Sequence, residues 1–186
     1  MSTSSFEVTA VYVQGFCKAL KEVGLFDAVT AKLSQSTKAV LENPFIAKTH
    51  PLSVFRELAD TTFQVGGAER YEHHAFVMTR EALGKILLPM FKVALALTGR
   101  TPATLMARVP DSVGQALRGV KATWEPKSPR NGTLNVVYPI EVPPSAEYAW
   151  RGTLRFLFTL LENTPTRIDR FTRDETGTRL AIDVSW

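Results

Sequence analysis

"TRLAIDVSW", Thr178–Trp186, is the stretch that decides how the rest of the chain is read. Leu180, Ile182, Val184 and Trp186 alternate strictly with Arg179, Ala181, Asp183 and Ser185. Successive side chains of an extended chain point to opposite faces, so this alternation predicts a strand with one buried face. Immediately before it, "RIDRFTRD" (167–174) turns through "ETG" (175–177), which makes the pair a hairpin. Further upstream, "GVKATWEP" (119–126) places Val120, Ala122 and Trp124 on one side. "SPRNGT" (128–133) follows, where Asn131-Gly132 is a strong hairpin signal, and "TLNVVYPI" (133–140) reads as the returning strand. Pro143-Pro144 ends that strand, and Ser145 is placed to cap a helix running to about Glu162. Its segment "TLRFLFTLL" (153–161) is apolar except for Arg155 and the threonines, so it should be covered on more than one side.

Everything before Arg118 reads as helical. From Phe26 to Glu42 a stripe of Phe26, Val29, Leu33, Val40 and Leu41 stops at Asn43-Pro44. A second helix starts near Pro51, carries Leu52, Phe55, Leu58, Ala59, Thr62 and Phe63 on one face, and ends at Gly66-Gly67. A long helical region follows from about Ala68 to Thr98. Leu83, Ile86, Leu87, Met90, Phe91, Ala94 and Leu95 are its buried stripe, Pro89 should kink or split it, and Gly99 closes it. Thr101-Pro102 opens another helix as cap and first-turn proline; it should run to about Ala107 and resume from Asp111 to Leu117 after Val109-Pro110. The expected fold is therefore α+β and a single domain over 1–186. A mainly helical layer (1–117) is followed by a ββαββ unit (118–186), in which two hairpins bridged by a helix form a four-stranded antiparallel sheet.

Composition removes several classes of function. With 186 residues, of which 45% are hydrophobic and 22% charged, the chain can build a core and is not disordered. Cys17 is the lone cysteine, which excludes an intramolecular disulfide and a multi-cysteine zinc site and points to a reducing, cytoplasmic location. "MSTSSFEVTA" (1–10) has no basic segment followed by an apolar one, so it does not read as a signal peptide. The longest apolar run, "ILLPMFKVALAL" (86–97), contains Lys92 and is too short to span a membrane. The net charge of +4 is spread thinly. Its densest cluster, Arg118, Lys121, Lys127 and Arg130 with Glu125 among them, reads as a solvated face. Nucleic-acid binding would need that cluster to converge with Arg167, Arg170 and Arg173.

No Gly-x-Ser-x-Gly elbow, Walker loop or His-Glu-x-x-His motif is present, and no paired carboxylates are implied by spacing, so no catalytic residue is assigned and the protein reads as a non-enzyme. "YEHHAF", Tyr71–Phe76, is the one stretch resembling a ligand set. Adjacent helical residues point about 100° apart, so His73 and His74 cannot share an ion. Glu69 and His73 are spaced i, i+4, but zinc needs three or four ligands, and no metal or cofactor is assigned. The reading is that one histidine sits at the edge of the helical layer and bonds a carbonyl or Glu72, with both as candidates for a pH-sensitive contact. Aromatic residues are enriched in the C-terminal half. They either fill the seam between sheet and helices or line a pocket there. In the second case Tyr138 and Trp150 would line it, and Arg151 or Arg155 would offer charge to an anionic ligand.

Four features carry a resemblance: "VYVQGF" at 11–16, Pro51 before the second long helix, the Thr79–Leu88 segment "TREALGKILL", and the closing Val184-x-Trp186. In these the chain resembles a myxobacterial paralogous family of unknown function and similar length. That family lies within a fold group that includes the haem nitric-oxide/oxygen binding domain, the vinyl-reductase-like (4VR) domain and the TRAPP subunits. The resemblance implies the fold. It also implies a test for haem, since the haem relatives use a proximal histidine and a Tyr-x-Ser-x-Arg motif. Tyr138 stands where that tyrosine would be, but the serine and arginine positions hold Ile140 and Val142, and no histidine follows His74. The 4VR cysteine cluster has no counterpart after Cys17. The expected function is a non-catalytic regulatory or protein-interaction domain that binds an unknown partner protein or a small molecule, acting as a homodimer. One alternative is a carrier or sensor of a small apolar or anionic ligand, with a pocket of several hundred cubic ångströms. A scaffold with that volume filled and an apolar patch exposed, and a nucleic-acid-associated basic protein, are the others.

Overall fold

The computed structural model describes residues 7–84, 99, 101–161 and 164–186. The predicted Pro89 kink and the apolar stripe beyond Gly84 fall outside them.

The chain opens on a three-residue strand, β1 (Glu7–Thr9), and a helix, α1 (Ala10–Glu22), whose Val13, Phe16 and Leu20 are buried at helical spacing. The Phe26–Glu42 stripe is two helices rather than one, α2 (Phe26–Lys32) and α3 (Gln35–Glu42). Ser34 separates them: its hydroxyl accepts from the Thr37 amide and donates to Glu57, which restarts the helix as an N-cap. A 3₁₀ turn (Pro44–Ile46) and β2 (Thr49–Pro51) lead to α4 (Leu52–Gly84), which Gly67 interrupts with a left-handed φ of 70°. The glycine pair thus breaks the helix direction, as the sequence predicts, and the chain resumes helical geometry at once.

Next comes α5 (Pro102–Ala116), where Thr101 and Thr104 form a reciprocal capping box. It is one helix, not two: Pro110 sits inside it, flanked by buried Val109 and Val113, whose packing offsets the lost amide. A short β3 (Leu117–Arg118) joins β1 and β2 in a small antiparallel sheet, order β2-β1-β3, for which the sequence carries no periodic signal.

The second sheet contains β4 (Lys121–Ser128), β5 (Asn131–Val137), β6 (Arg167–Arg173) and β7 (Arg179–Ser185), in the order β4-β5-β7-β6 and antiparallel throughout. Leu134 pairs with Ile182 and Val136 with Leu180 at its centre, and their side chains are buried on the face toward the helices. The first hairpin turns at Pro129-Arg130, with Ser128 opposite Asn131, so Asn131-Gly132 lies inside β5 rather than at the turn. Gly132 has another role. A Cβ there would come within 2.4 Å of the Trp124 ring, which lies across it and pairs with Trp186 at 6.1 Å.

Between the hairpins runs α6 (Ala146–Phe158), shorter than predicted. It lies between the sheet and α4. The two helices cross at Gly152, where a Cβ would stand 2.1 Å from the Glu72 carbonyl oxygen, and Thr153 meets Thr79 hydroxyl to hydroxyl at 3.0 Å. Two buried clusters result, one around α1 and α4 and one between α6 and the sheet, and Phe76 and Leu117 pack against both.

Candidate functional site: a cavity where helices and sheet meet

Tyr12 of α1, Phe55, Tyr71, His74 and Met78 of α4, and Val109 and Val113 of α5 wall one side of a partly open cavity of about 130 Å³. Trp150 and Leu157 of α6 and the Tyr138–Ser145 connection wall the other. The volume is close to the roughly 150 Å³ of an engineered apolar cavity that admits benzene or xenon, and below the roughly 300–1,000 Å³ of drug-sized ligand sites. It is thus smaller than the several hundred cubic ångströms expected.

His74 is the most constrained polar group of the wall. It is fully buried, packed edge-on against Phe16 at 4.2 Å and stacked parallel to Tyr71 at 6.0 Å. Its Nε2 lies 3.2 Å from the Phe16 carbonyl, which only accepts, so Nε2 carries the proton and Nδ1 is a bare lone pair. Among the described residues Nδ1 has no hydrogen-bond partner. Burial, with neighbouring His73 adding to it, pushes the imidazole pKa down from 6.5 to about 4, so the ring is neutral at pH 7. The expected carbonyl bond is therefore present, but in the core and not at the edge of the layer.

Across the cavity the Trp150 indole N–H donates to the Tyr138 hydroxyl at 2.8 Å. Burial pushes the Tyr138 phenol up to about 12 and raises Tyr12 and Tyr71 as well, so all three are neutral hydroxyls. Ser145, expected as a helix cap, makes no capping bond. Its buried Oγ lies beside the Tyr71 phenol but forms no hydrogen bond of normal geometry. The connection that carries Ser145 is pinned from the sheet: Arg173 of β6 donates to the Val142 and Pro143 carbonyls at 2.9 and 3.2 Å.

Tyr138, Trp150 and His74 are therefore brought together, and the other candidates are not. Arg151 turns toward the sheet, its guanidinium 4.7 Å above the Phe171 ring. Arg155 is on the outer side of α6, bonded to Glu72 at 2.6 Å beside exposed His73. Among the described residues no cationic side chain lines the cavity, so they give an anionic ligand nothing to pair with there. Sequence reasoning passes over Tyr71 and the cavity role of Ser145. A signal exists for the first: Tyr71, Ala75, Met78 and Ala82 form a helical stripe that places His74 inward and His73 outward.

Several basic side chains of the cluster and of the C-terminal arginines are tied to carboxylates. Arg118 bonds Glu7 at the small sheet and Lys127 bonds Asp183, while Arg167 is paired with Asp169 and Arg173 with Glu147. Among the described residues, no group of three potential metal ligands forms and no helix is long and apolar enough to cross a membrane. Exposed large apolar residues are Phe45 and Ile46 on the 3₁₀ turn and Val137 on the sheet, with no broad patch among the described residues.

A haem does not fit these residues. The cavity has a fraction of the volume of a cofactor site. His74 is clamped between two rings with its Nε2 engaged, and the Tyr138 hydroxyl is turned onto Trp150. Val142, at the motif's arginine position, is a buried core residue.

No protein-family model matches the chain, and no curated protein does. Solved structures do match. The Fe(II) unliganded H-NOX protein from K. algicida gives a TM-score of 0.64 at 11% identity, covering 95% of this chain and 95% of that one. A mutant of T. Tengcongensis H-NOX gives 0.60 at 14% identity, covering 95% and 96%. A protein solved for its haem redox potential and protein-induced porphyrin distortion gives 0.58 at 14%, covering 96% and 99%. At these identities the likeness speaks to architecture alone: the chain has an H-NOX-like α+β fold.

Proposed function

We propose that this chain is a non-catalytic regulatory domain that senses a small neutral molecule in the cavity between its helices and its sheet. The cavity itself is the observation that carries this reading: it is walled by aromatic and aliphatic side chains and lies where α1, α4, α5, α6 and the Tyr138–Ser145 connection meet. The H-NOX neighbours lend the reading support as proteins of similar fold, one of them named for its haem and porphyrin. A molecule filling the cavity would bind the closed packing better than a loosened one, and that difference in affinity is what a sensor needs. The response would leave through the connection tied to β6 by Arg173, toward a partner protein or a second copy of the chain. A cytoplasmic location and a role in signalling belong to the same reading.

The test is a ligand titration with toluene, followed by NMR and by thermal unfolding. Toluene should shift resonances of Met78, Val109 and Trp150 and raise the melting temperature. The cavity-filling substitution Ala149→Leu should abolish both effects. Resonance shifts confined to surface residues would sink the reading.

A further inference from the structure

The register of the larger sheet fixes what its outer face presents. Lys121 of β4 lies opposite Val137 of β5, and Val137 lies opposite Arg179 of β7. The adjacent row of Ala122, Val136 and Leu180 points toward the helices, so this row points away from them. Val137 is 41% exposed there, one of the large apolar side chains that folding leaves in solvent. An apolar side chain thus stands between two cations, on a row about 10 Å wide across two strand spacings.

The two cations differ from their basic neighbours. Arg118, Lys127, Arg167 and Arg173 are each tied to a carboxylate, whereas among the described residues Lys121 and Arg179 have none. Arg179 is also held in place. Its Nε and Nη2 donate to Asn135 Oδ1 at 3.2 and 2.7 Å. Asn135 is neutral, so the guanidinium keeps its full charge, and among the described residues its Nη1 has no partner. A pre-positioned guanidinium of this kind suits a carboxylate.

The same face argues against other occupants. A second copy docked about a two-fold axis would set the cations of one row against those of the other. Single-stranded nucleic acid needs aromatic rings to stack on, but the register turns Trp124 and Phe171 to the helix side, opposite Leu134 and Ile182. Glu125 and Asp183, on the outer face, would repel a phosphate backbone.

Taking from the proposed function only that a response leaves through a contact surface, we propose that the Lys121–Val137–Arg179 row docks an extended segment of a partner protein, in which an apolar residue is flanked two positions away on each side by carboxylates. In an extended segment the side chains at i−2, i and i+2 share a face at intervals of about 7 Å, within reach of the long cationic side chains beside Val137. The row adjoins the cavity. Tyr138 follows Val137 directly, and its hydroxyl accepts from Trp150 in the cavity wall.

The probe is the end-blocked peptide Glu-Ser-Leu-Ser-Glu, titrated into the full chain at low ionic strength and followed by NMR. Backbone amides of Lys121, Val137 and Arg179 should shift. Lys-Ser-Leu-Ser-Lys should leave them unmoved, and Glu-Ser-Gly-Ser-Glu should bind about fivefold more weakly. Val137→Thr keeps a β-branched side chain at an exposed strand position and should weaken binding about threefold. Lys121→Glu, also at an exposed strand position, should weaken it about threefold or more. A peptide that shifts only other residues, or that binds both variants as well as wild type, overturns the proposal. So does a short oligothymidine that binds the row more tightly than the peptide, or movement of the row's resonances on raising the protein concentration alone, which marks a second copy. Toluene titration of the same sample keeps the two readings apart: a peptide that fails while toluene enters sinks the docking row and leaves the cavity reading standing.

Discussion

Acidification should expose the cost of keeping His74 neutral. In the unfolded chain the imidazole titrates at 6.5, and in the folded chain at about 4. The folded-state value is the depressed one, so the unfolded state takes up the proton first. The stabilising contribution is complete above pH 6.5, falls as the pH drops toward 4, and is gone below it. At 1.36 kcal/mol per unit, the full swing is about 3 kcal/mol, with about 2 kcal/mol already lost at pH 5. That is a large share of the roughly 5–15 kcal/mol by which a domain is stable. Three carboxylates with depressed values add to the loss only toward the acid end of this window. Asp174 and Asp183 are held below 3.8 by backbone amides and by Thr133 with Lys127, and Glu57, despite a burial penalty that raises it, is held below 4.5 by Thr37 and Ser34. Their contributions are lost as the pH falls through their depressed folded-state values. The assay is urea unfolding at pH 7, 6, 5.5 and 5 on wild type and His74→Phe. Every other titrating group is common to the two proteins, so the difference between their pH profiles isolates His74. The variant should lose about 2 kcal/mol less between pH 7 and 5 than the wild type. Parallel profiles, or an NMR titration placing His74 near 6.5 in the folded protein, would refute the reasoning.

Gly152→Ala gains helix propensity of about 1 kcal/mol, but its new methyl would stand 2.1 Å from the Glu72 carbonyl oxygen, so α4 and α6 must move apart. A net loss of about 1–3 kcal/mol in urea unfolding is expected, and a variant as stable as wild type would mean that the helices do not cross this closely. Tyr138→Phe removes the acceptor of the buried Trp150 indole N–H and should cost about 1–3 kcal/mol, with the indole proton resonance moving upfield. An unmoved indole resonance would show that the bond is absent.

The strands of the larger sheet can be read from the chain because period-two alternation survives wherever one face is buried and the other wet. Leu180, Ile182 and Val184 are all fully buried, as their spacing requires. The small sheet cannot, since its strands span two or three residues, too few to display a period. Pro110 hides the continuity of α5 because tertiary packing of Val109 and Val113 outweighs a missing amide, and packing is not written locally. The hairpin turn is displaced from its apparent place because Asn131-Gly132 resembles a turn signal, whereas Gly132 is there to accommodate the Trp124 ring from the neighbouring strand.

The cavity is half legible. Aromatic enrichment draws attention to Tyr138 and Trp150, and both line it. Proximity in sequence groups Arg151 and Arg155 with Trp150, but on a helix the next residue faces about 100° away, and Arg151 goes to Phe171 while Arg155 goes to Glu72. His73 and His74 look alike as letters. Only the stripe through Tyr71, Ala75 and Met78 tells the buried ring from the exposed one. Ser145 carries the residue type that most often caps a helix. Its surroundings, the Tyr71 phenol and the Arg173-held connection, are set by parts of the chain distant in sequence.

The most direct measurement is the Soret absorbance and native mass of the purified protein after incubation with one equivalent of ferrous haem. With a cavity of about 130 Å³ and the His74 ring clamped between Phe16 and Tyr71, the mass should stay that of the bare chain and the Soret band that of free haem. A stoichiometric haem complex with a shifted Soret band, lost on His74→Phe, would contradict it.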